Sequence, residues 1–337
     1  MRSIKDVNVR GKKVLLRLDL DVPVNAGVVG DLTRLKSGLA TLRHLIDAGA
    51  TVVVISHAGR PEGQVVESLS LRPMLAKLME LLGGHYIYEV IDRPMPTLEG
   101  TVFALENVRF NAGEEANNAE FARYLASFGE MYVNDSFAVA HRKHASIVGL
   151  HNLLPCYAGL HLLEEVAQLE AAMIEPAHPV VVVLGGAKLE TKMPAIAYMS
   201  KIADQVLLGG KLVLEAKVED LPHNVLMPED MVQTLDIGPR AAAHYAEIIS
   251  AARTIIWNGP MGKFEEPPYD ASSRMIARVI AANSTARRIV GGGDTLAALE
   301  AFGLLDGVGY VSTGGGAMLD FLAGQELPGL AVLGYTT

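Results

Sequence analysis

Short apolar runs alternate with amphipathic stretches along most of the chain. The runs are rich in Val, Ile and Leu, which is typical of buried β-strands, and they lie at residues 12–18, 51–56, 101–105, 179–185, 204–209, 253–257, 287–291 and 309–313. Between most of them, apolar residues recur at helical spacing, as at 35–49, 71–84 and 121–129. The alternation predicts an α/β fold of two Rossmann-like lobes, each a mostly parallel sheet covered by helices on both faces.

The alternation is interrupted near the middle of the chain. A strand-like segment at 131–135 is followed by HRKHASIVGLHNLLP and then by an amphipathic stretch from Gly159 to Ile174. One long hinge helix joining two α/β lobes fits this pattern. We therefore expect a first lobe, an interlobe helix, a second lobe and a tail that returns to the first lobe, at 1–155, 156–177, 178–320 and 321–337.

Length and composition agree with two domains. The chain has 337 residues, half of them apolar, which is enough for two buried cores. Its one cysteine, Cys156, excludes an internal disulfide and a cysteine-based metal cluster, and favours a reducing compartment. The N-terminal residues lack the apolar segment of a signal peptide, and no apolar run is long enough to span a membrane. We expect a cytoplasmic protein.

The charge distribution restricts the class of ligand. A net charge of −9 argues against general nucleic-acid binding, because no basic excess is available to neutralise a phosphate backbone. Residues 1–150 carry 17 basic and 17 acidic side chains, whereas residues 151–337 carry 12 and 21. The first lobe is therefore the better host for a small anion.

Three predicted strand-to-helix junctions in the second lobe contain glycines: VVVLGGAKLETK (181–192), IVGGGDT (289–295) and VSTGGGAM (311–318). Ligands of parallel α/β sheets bind where strands end and helices begin. Glycine lets the backbone approach a ligand closely, and a helix N-terminus offers free N–H groups to an anion. One such junction could be a tight turn without a ligand, but three in one lobe favour a phosphate-binding site.

The familiar nucleotide motifs do not match these glycines. No G-x-x-x-x-G-K-[ST] segment occurs, and Leu296 stands where the dinucleotide motif beginning at Gly291 needs its third glycine. Asp294 could simply favour the start of a helix. Beside a bound phosphate, however, its carboxylate requires a cation between the two anions, and Mg²⁺ is the usual one.

Nine segments, in order along the chain, resemble the motifs of phosphoglycerate kinase. They are RLDLDVPV, SHAGRP, LENVRF, NDSFAVAHR, GGAKLETK, DIGP, WNGPMGKFE, GGGDT and STGGGA. The resemblance implies reversible Mg²⁺-dependent phosphoryl transfer in glycolysis, between 1,3-bisphosphoglycerate and ADP, giving 3-phosphoglycerate and ATP. It further implies a monomer whose first lobe binds the phosphoglycerate, whose second lobe binds the nucleotide, and whose lobes close for transfer.

The resemblance also assigns site residues by their matching positions. Substrate binding falls on Asp19, Leu20, Asp21, Arg34, His57, Ala58, Gly59, Arg60, Arg109 and Arg142. Nucleotide binding falls on Gly186, Lys188, Lys192, Asn258, Glu265, Gly291, Gly292, Gly293, Asp294 and Thr295. The implied catalytic residues are Arg34, Lys192, Gly292 and Gly315, and the implied Mg²⁺ ligand is Asp294.

The chemistry of these residues agrees with the implied roles. Phosphoglycerate carries a phosphate and a carboxylate, and arginine is permanently charged and binds oxyanions through two N–H groups at once. The attacking carboxylate is already ionised, so no general base is needed. Catalysis should rest on alignment and on neutralising the oxygens of the transferred group.

Asp21 departs from the family pattern, which has Asn at this position. A carboxylate about 4 Å from an anionic substrate would repel it by about 4 kcal/mol at an effective dielectric constant of about 20. Three explanations remain open: Asp21 is protonated, a neighbouring arginine neutralises it, or the substrate differs. Val139 and Lys263 also replace residues that are usual in the family.

The chain is several tens of residues shorter than is usual in the family. Most of the loss lies between LLGGKLVLEAK and LMPED, beside the expected adenine pocket, with a smaller loss after SHAGRP. Recognition of the base is therefore open, whereas the phosphate-binding segments are present. The shortening and Asp21 also permit an alternative, a binding protein that holds phosphometabolites or nucleotides without turnover.

Overall fold

The computed structural model describes residues 1–25, 27–30, 32–83 and 88–336, and the chain forms two compact units. The first unit comprises residues 1–165 together with the segment from Glu326 onward, and the second comprises Val166–Gln325. The end of the predicted helical stretch at Gly84 and the last residue of the predicted tail, Thr337, lie outside the described residues.

The first unit is built on a six-stranded parallel sheet and a small antiparallel hairpin. Its strands in chain order are β1 (Lys13–Arg17), β2 (Val24–Asn25), β3 (Val28–Val29), β4 (Thr51–Ile55), β5 (Tyr88–Val90), β6 (Val102–Ala104), β7 (Met131–Asn134) and β8 (Cys156–Ala158). The sheet order is β5-β6-β4-β1-β7-β8, and β2 pairs with β3. The strand order therefore reverses between β1 and β7, and ligands of open parallel sheets bind at such a reversal.

The helices of the first unit are α1 (Thr33–Ser37), α2 (Leu39–Asp47), α3 (Arg72–Leu82), α4 (Ala112–Glu115) and α5 (Ala119–Ala126). The helical stretch predicted at 35–49 is divided at Gly38, where an added Cβ would lie 2.8 Å from the Cδ2 atom of Leu18. The next helix, α6 (Leu160–Met173), begins in the first unit and ends in the second.

The second unit repeats the architecture. Its strands are β9 (Val180–Leu184), β10 (Gln205–Leu208), β11 (Val225–Leu226), β12 (Met231–Val232), β13 (Asp236–Ile237), β14 (Thr254–Asn258), β15 (Arg287–Gly291) and β16 (Tyr310–Ser312). Six of them form a parallel sheet in the order β11-β10-β9-β14-β15-β16, while β12 and β13 form an antiparallel pair. Here the strand order reverses between β9 and β14.

The remaining helices are α7 (Met193–Met199), α8 (Leu212–Glu215), α9 (Pro239–Ala251), α10 (Ala271–Ala282), α11 (Gly293–Phe302), α12 (Gly316–Leu322) and α13 (Pro328–Ala331), of which α13 belongs to the first unit. The central strands β9 and β14 are buried along their whole length. Burial on both faces explains why these strands are continuously apolar rather than alternating. None of the helices in the described part of the chain is both long and apolar enough to cross a membrane.

The predicted α/β fold with two parallel sheets is therefore confirmed, and a strand forms within each of the eight apolar runs. The sequence analysis did not predict the short strands β2, β3, β5, β8, β11, β12 and β13. Each has only two or three residues, too few to give a hydrophobic period by itself, whereas the equally short β6 and β16 lie within longer apolar runs.

Candidate active site

The substrate-binding residues that the sequence predicts in the first unit lie on loops that follow its parallel strands. Asp19 and Asp21 follow β1, His57 and Gly59 follow β4, and Arg109 follows β6. Because the strands are parallel, their carboxyl ends lie at one edge of the sheet. The fold therefore gathers these segments although they are far apart in sequence.

A residue that the sequence analysis missed, Arg17, lies at the centre of this edge. It ends β1, and only 1% of its surface is exposed. Its guanidinium donates to Ser146 Oγ at 3.1 Å, to Ser56 Oγ at 3.3 Å and to the carbonyl oxygen of Leu18. Ser146 in turn donates to the buried carboxylate of Glu114 at 2.6 Å. Burial raises the pKa of Glu114, and the nearby Arg17 offsets part of that rise.

Arg17 also determines the proton arrangement of His57. Its Nη2 atom lies 3.0 Å from His57 Nδ1. Arginine can only donate, so Nδ1 accepts and the proton of the neutral ring is on Nε2. Burial lowers the pKa of His57 well below its usual value, and the positive charges of Arg17, Arg109 and Arg34 lower it further. A neutral His57 therefore presents an N–H donor, with Nε2 3.5 Å from Asp21 Oδ2.

Asp21 holds the loop that carries His57. Its Oδ1 atom accepts a hydrogen bond of 2.9 Å from the backbone N–H of Gly59. Arg34 donates to the backbone carbonyl of Asp21 at 2.6 Å, and its Nε atom lies 3.5 Å from Asp19 Oδ2. Burial raises the pKa of Asp19, with Arg34 as the largest opposing influence. An arginine thus lies beside Asp21, as one of the three explanations requires, but it contacts the carbonyl rather than the carboxylate.

The other predicted substrate residues differ in exposure. Arg109 is largely buried and donates to the carbonyl of Gly59 at 2.7 Å, whereas Arg60 and Arg142 are exposed. Leu20 and Ala58 are buried, and the N–H of Leu20 donates to Ser56 Oγ at 3.0 Å. Leu20 and Ala58 can therefore offer a ligand little more than backbone groups. The exposed side chains of Arg60 and Arg142 can turn toward a bound ligand.

In the second unit, most of the predicted nucleotide residues line one cavity of about 310 Å³. These residues are Gly186, Lys188, Lys192, Asn258, Gly292, Gly293, Asp294 and Thr295, and the predicted catalytic residue Gly315 lines the same cavity. The cavity lies at the starts of α11 and α12, whose unpaired backbone N–H groups favour an anion. Gly291 ends β15 and is buried. The cavity therefore has the character of a phosphate-binding site.

Lys192 is the buried cation of this cavity. Its Nζ atom donates to the backbone oxygen of Asn258 at 2.8 Å and to Asn258 Oδ1 at 2.6 Å. Burial lowers the pKa of Lys192 to about 7, with Asp294 opposing the shift. Gly259 permits this approach, because its φ is +99° and an added Cβ would lie 2.9 Å from Lys192 Nζ.

Asp294 and its neighbour Thr295 have different environments. Thr295 is fully buried, and its Oγ1 atom accepts a hydrogen bond of 2.7 Å from the N–H of Gly259. Asp294 is exposed at the cavity, in the first turn of α11. Within the described residues, no group of three or more His, Cys, Asp or Glu side chains could hold a metal ion by itself. One carboxylate beside a phosphate cavity fits the usual coordination of Mg²⁺, which takes few protein ligands and completes its shell with phosphate oxygens and water.

A second cavity of about 230 Å³ adjoins the first, since both are lined by Gly186, Ala187 and Asp294. Glu265 also lines it, together with Lys211 and Lys263. The Nζ atom of Lys263 is hydrogen-bonded to Glu266. A cavity is therefore present beside the cavity of about 310 Å³, although the segment between β10 and β11 is short.

One feature of the sequence could have identified Arg17. It stands between Leu16 and Leu18 in KKVLLRL, inside the apolar part of a run predicted to be a buried strand, where a charge requires compensating partners. Ser56, Ser146 and Glu114 carry no comparable signal, because their partnership depends on contacts between distant segments.

A family model described as phosphoglycerate kinase matches residues 4–219 and 214–325. The structure of phosphoglycerate kinase from Coxiella burnetii is similar over 98% of both chains, with 33% sequence identity and a TM-score of 0.85. The structure of phosphoglycerate kinase from Pyrococcus horikoshii OT3 is similar over 99% of this chain and 98% of its own, with 30% identity and a TM-score of 0.87. Both units are covered by each match.

Replacing Arg17 by Met should destabilise the protein strongly. The change leaves His57 Nδ1 without its donor and Glu114 buried without the nearby cation, so we expect a loss of about 3–5 kcal/mol in the free energy of unfolding. Chemical denaturation measures this loss. The matched change of the exposed Arg278 to Met should alter the free energy by no more than about 0.5 kcal/mol. Equal effects of the two changes would contradict the role of Arg17.

Proposed function

The chain belongs to the phosphoglycerate kinase family, and from this premise we propose which role each of its site residues has in the reaction. It is a phosphotransferase that uses a carboxyl group as acceptor, interconverting 1,3-bisphosphoglycerate and ADP with 3-phosphoglycerate and ATP. The observation that carries the proposal for the nucleotide is the cavity of about 310 Å³, which combines two helix N-termini with Lys192 and Asp294. The first unit supplies the complementary site for a phosphorylated carboxylic acid.

In the first unit, we propose that Arg34, Arg60, Arg109 and Arg142 bind the phosphate and carboxylate of phosphoglycerate. The neutral His57 donates through Nε2 and adds no charge. Arg34 and Arg109 are already oriented by contacts with Asp21 and Gly59, which lowers the entropic cost of binding. Asp19, Leu20, Asp21 and Ala58 shape the loops and offer mainly backbone groups.

In the second unit, the phosphates of ADP or ATP would lie against Gly186, Gly292, Gly293 and Gly315, with Lys188 at the rim. Glu265 lines the adjoining cavity, where the nucleoside would lie. Asp294 is the protein ligand for a Mg²⁺ that arrives with the nucleotide, and when bound this ion neutralises phosphate charge. Asn258 keeps Lys192 in place until a phosphate provides a stronger partner.

The transfer itself needs no general base, because the attacking oxygen is an ionised carboxylate or phosphate. We propose that Arg34 and Lys192 neutralise charge on the oxygens of the phosphoryl group, and that the backbone N–H groups at the starts of α11 and α12 add to this effect. The substrates bind to separate units, so turnover requires the units to approach each other. That approach also excludes water, which would otherwise hydrolyse the acyl phosphate.

Two further proposals are a monomer, which rests on the family resemblance, and a cytoplasmic location, which rests on the sequence. The alternative of a non-catalytic binding protein receives no support from the comparisons. Its sequence arguments were Asp21 and the shortened chain, and Asp21 has contacts of its own with Gly59 and His57.

Arg34 should be required for turnover. In a coupled assay with 3-phosphoglycerate, Mg²⁺ and ATP, Arg34→Ala should lower kcat by about 10³-fold or more, since the cation acts on the transferred group. The exposed Arg278→Ala should retain wild-type turnover. If the wild-type protein turns over no faster than Arg34→Ala, the kinase activity itself is contradicted.

Lys192 should take up a proton when nucleotide binds. Its pKa of about 7 in the free protein leaves it mostly neutral at about pH 8, and the bound phosphate anions should raise that pKa and recharge it. Calorimetry of ADP binding in two buffers of different ionisation enthalpy measures the uptake. Lys192→Arg, which is always charged, should show less uptake. The same buffer dependence in both proteins would exclude Lys192 as the group that gains the proton.

Asp294 should account for part of the effect of Mg²⁺ on nucleotide binding. The carboxylate supplies a protein ligand, so the gain in ADP affinity on adding Mg²⁺ should be smaller in Asp294→Ala and Asp294→Asn than in the wild type. Titration of ADP with and without Mg²⁺ gives this gain directly. An unchanged gain in both variants would remove Asp294 from the metal site.

A further inference from the structure

A cavity of about 670 Å³ in the first unit lies outside the residues to which the reaction has been assigned. Its volume is within the usual range of small-molecule sites, about 300–1,000 Å³. It is bordered by the segment after β5, the segment after β6, and α5. None of the predicted substrate residues lines it.

One wall of the cavity is aromatic. Phe110, Phe121 and Tyr124 all line it. The rings of Phe121 and Tyr124 are stacked with centroids 5.9 Å apart, and the rings of Tyr124 and Phe128 are nearly perpendicular with centroids 5.1 Å apart. The hydroxyl of Tyr124 donates to the backbone oxygen of Asp92 at 3.1 Å, which fixes the ring against the opposite segment. Although these contacts hold it, 43% of Tyr124 remains exposed, so its ring is accessible.

The charge of the cavity has one sign. Asp92, Glu106 and Glu120 line it, and among the residues that the structure describes no Lys, Arg or His does. Glu106 is already engaged, since it accepts from Ser70 and from two backbone N–H groups. Asp92 and Glu120 are exposed and, in the part of the chain that the structure describes, form no ion pair.

Two carboxylates without ion pairs beside the exposed ring of Tyr124 select against phosphates and other anions. They match a cation, because carboxylates attract it directly and the face of an aromatic ring attracts it through its quadrupole. The apolar wall requires a ligand with an apolar or aromatic body rather than a bare metal ion. Phosphoglycerate and nucleotides, being anionic, do not fit these requirements.

We propose that this cavity is a second binding site, for a small organic ammonium ion with an aromatic or apolar body. The body of the ligand packs against Phe121 and Tyr124, and its ammonium group lies toward Asp92 and Glu120. The site also borders the turn that carries Arg109, because Asn107 and Val108 line it. It is therefore close to the substrate site without sharing its ligand chemistry.

Three indole compounds of similar size and different charge test the proposal by calorimetric titration of the full chain. Tryptamine, the cation, should bind saturably and about tenfold more tightly than the neutral tryptophol, since the charge interactions are lost. The anion indole-3-acetate should not bind. Absence of saturable tryptamine binding, or equal binding of all three compounds, would overturn the proposal.

Three variants locate the binding. Glu120→Gln and Tyr124→Leu should each weaken tryptamine binding by about threefold or more, through loss of the carboxylate charge and of the ring face respectively. The exposed Glu247→Gln in the second unit changes net charge equally and should leave the affinity unchanged. Tryptamine binding that is unchanged in both cavity variants would place the ligand elsewhere and refute the site.

Discussion

Arg17 in the first unit and Lys192 in the second are buried at the carboxyl edge of a parallel sheet, and the cost of removing each charge from water organises the groups around it. In the first unit the guanidinium of Arg17 is surrounded by serine hydroxyls, a backbone oxygen and His57. In the second unit the ammonium group of Lys192 has two oxygens of Asn258. Ser56 and His57 follow β4, which pairs with β1, and Asn258 ends β14, which pairs with β9. A correctly paired sheet is therefore a condition for each cation to be buried.

The two buried cations, Arg17 and Lys192, differ in how readily they lose their charge, and this difference suits their roles. Arginine stays protonated under nearly all conditions, and Arg17 uses its planar fork to fix several partners at once. Its role is to hold the loops after β1 and β4 and to keep Nε2 of His57 as a donor. Lysine adjusts its charge more readily, and burial brings the pKa of Lys192 to about 7. Lys192 can therefore remain buried without a phosphate at moderate cost, and become fully charged when one arrives.

The sequence was sufficient to predict the features that repeat locally. Runs such as 179–185 have the length and β-branched content of buried strands, and glycines at 291–293 mark a strand-to-helix junction. Features that depend on distant contacts were not predictable. The break at Gly38 follows from the proximity of Leu18, and the importance of Arg17 follows from Ser146 and Glu114, more than 90 residues away. The functional assignments came from family motifs that occur in order along the chain. The hydrogen bonds and distances between the assigned residues could not be deduced from that order.

The contacts of Asp21 change the effect that is expected from having a carboxylate where the family has an asparagine. Judged by charge alone, a carboxylate in place of an amide should repel an anionic substrate. In the structure its two oxygens face the N–H of Gly59 and the Nε2 atom of His57, which carries a proton because Arg17 donates to Nδ1. Both neighbours are donors, and a carboxylate is a stronger acceptor than an amide. The amide nitrogen of an asparagine could not accept from His57. Asp21 therefore lacks the N–H donor that asparagine would offer the substrate, but it binds the loop that carries His57 and Arg60 more strongly.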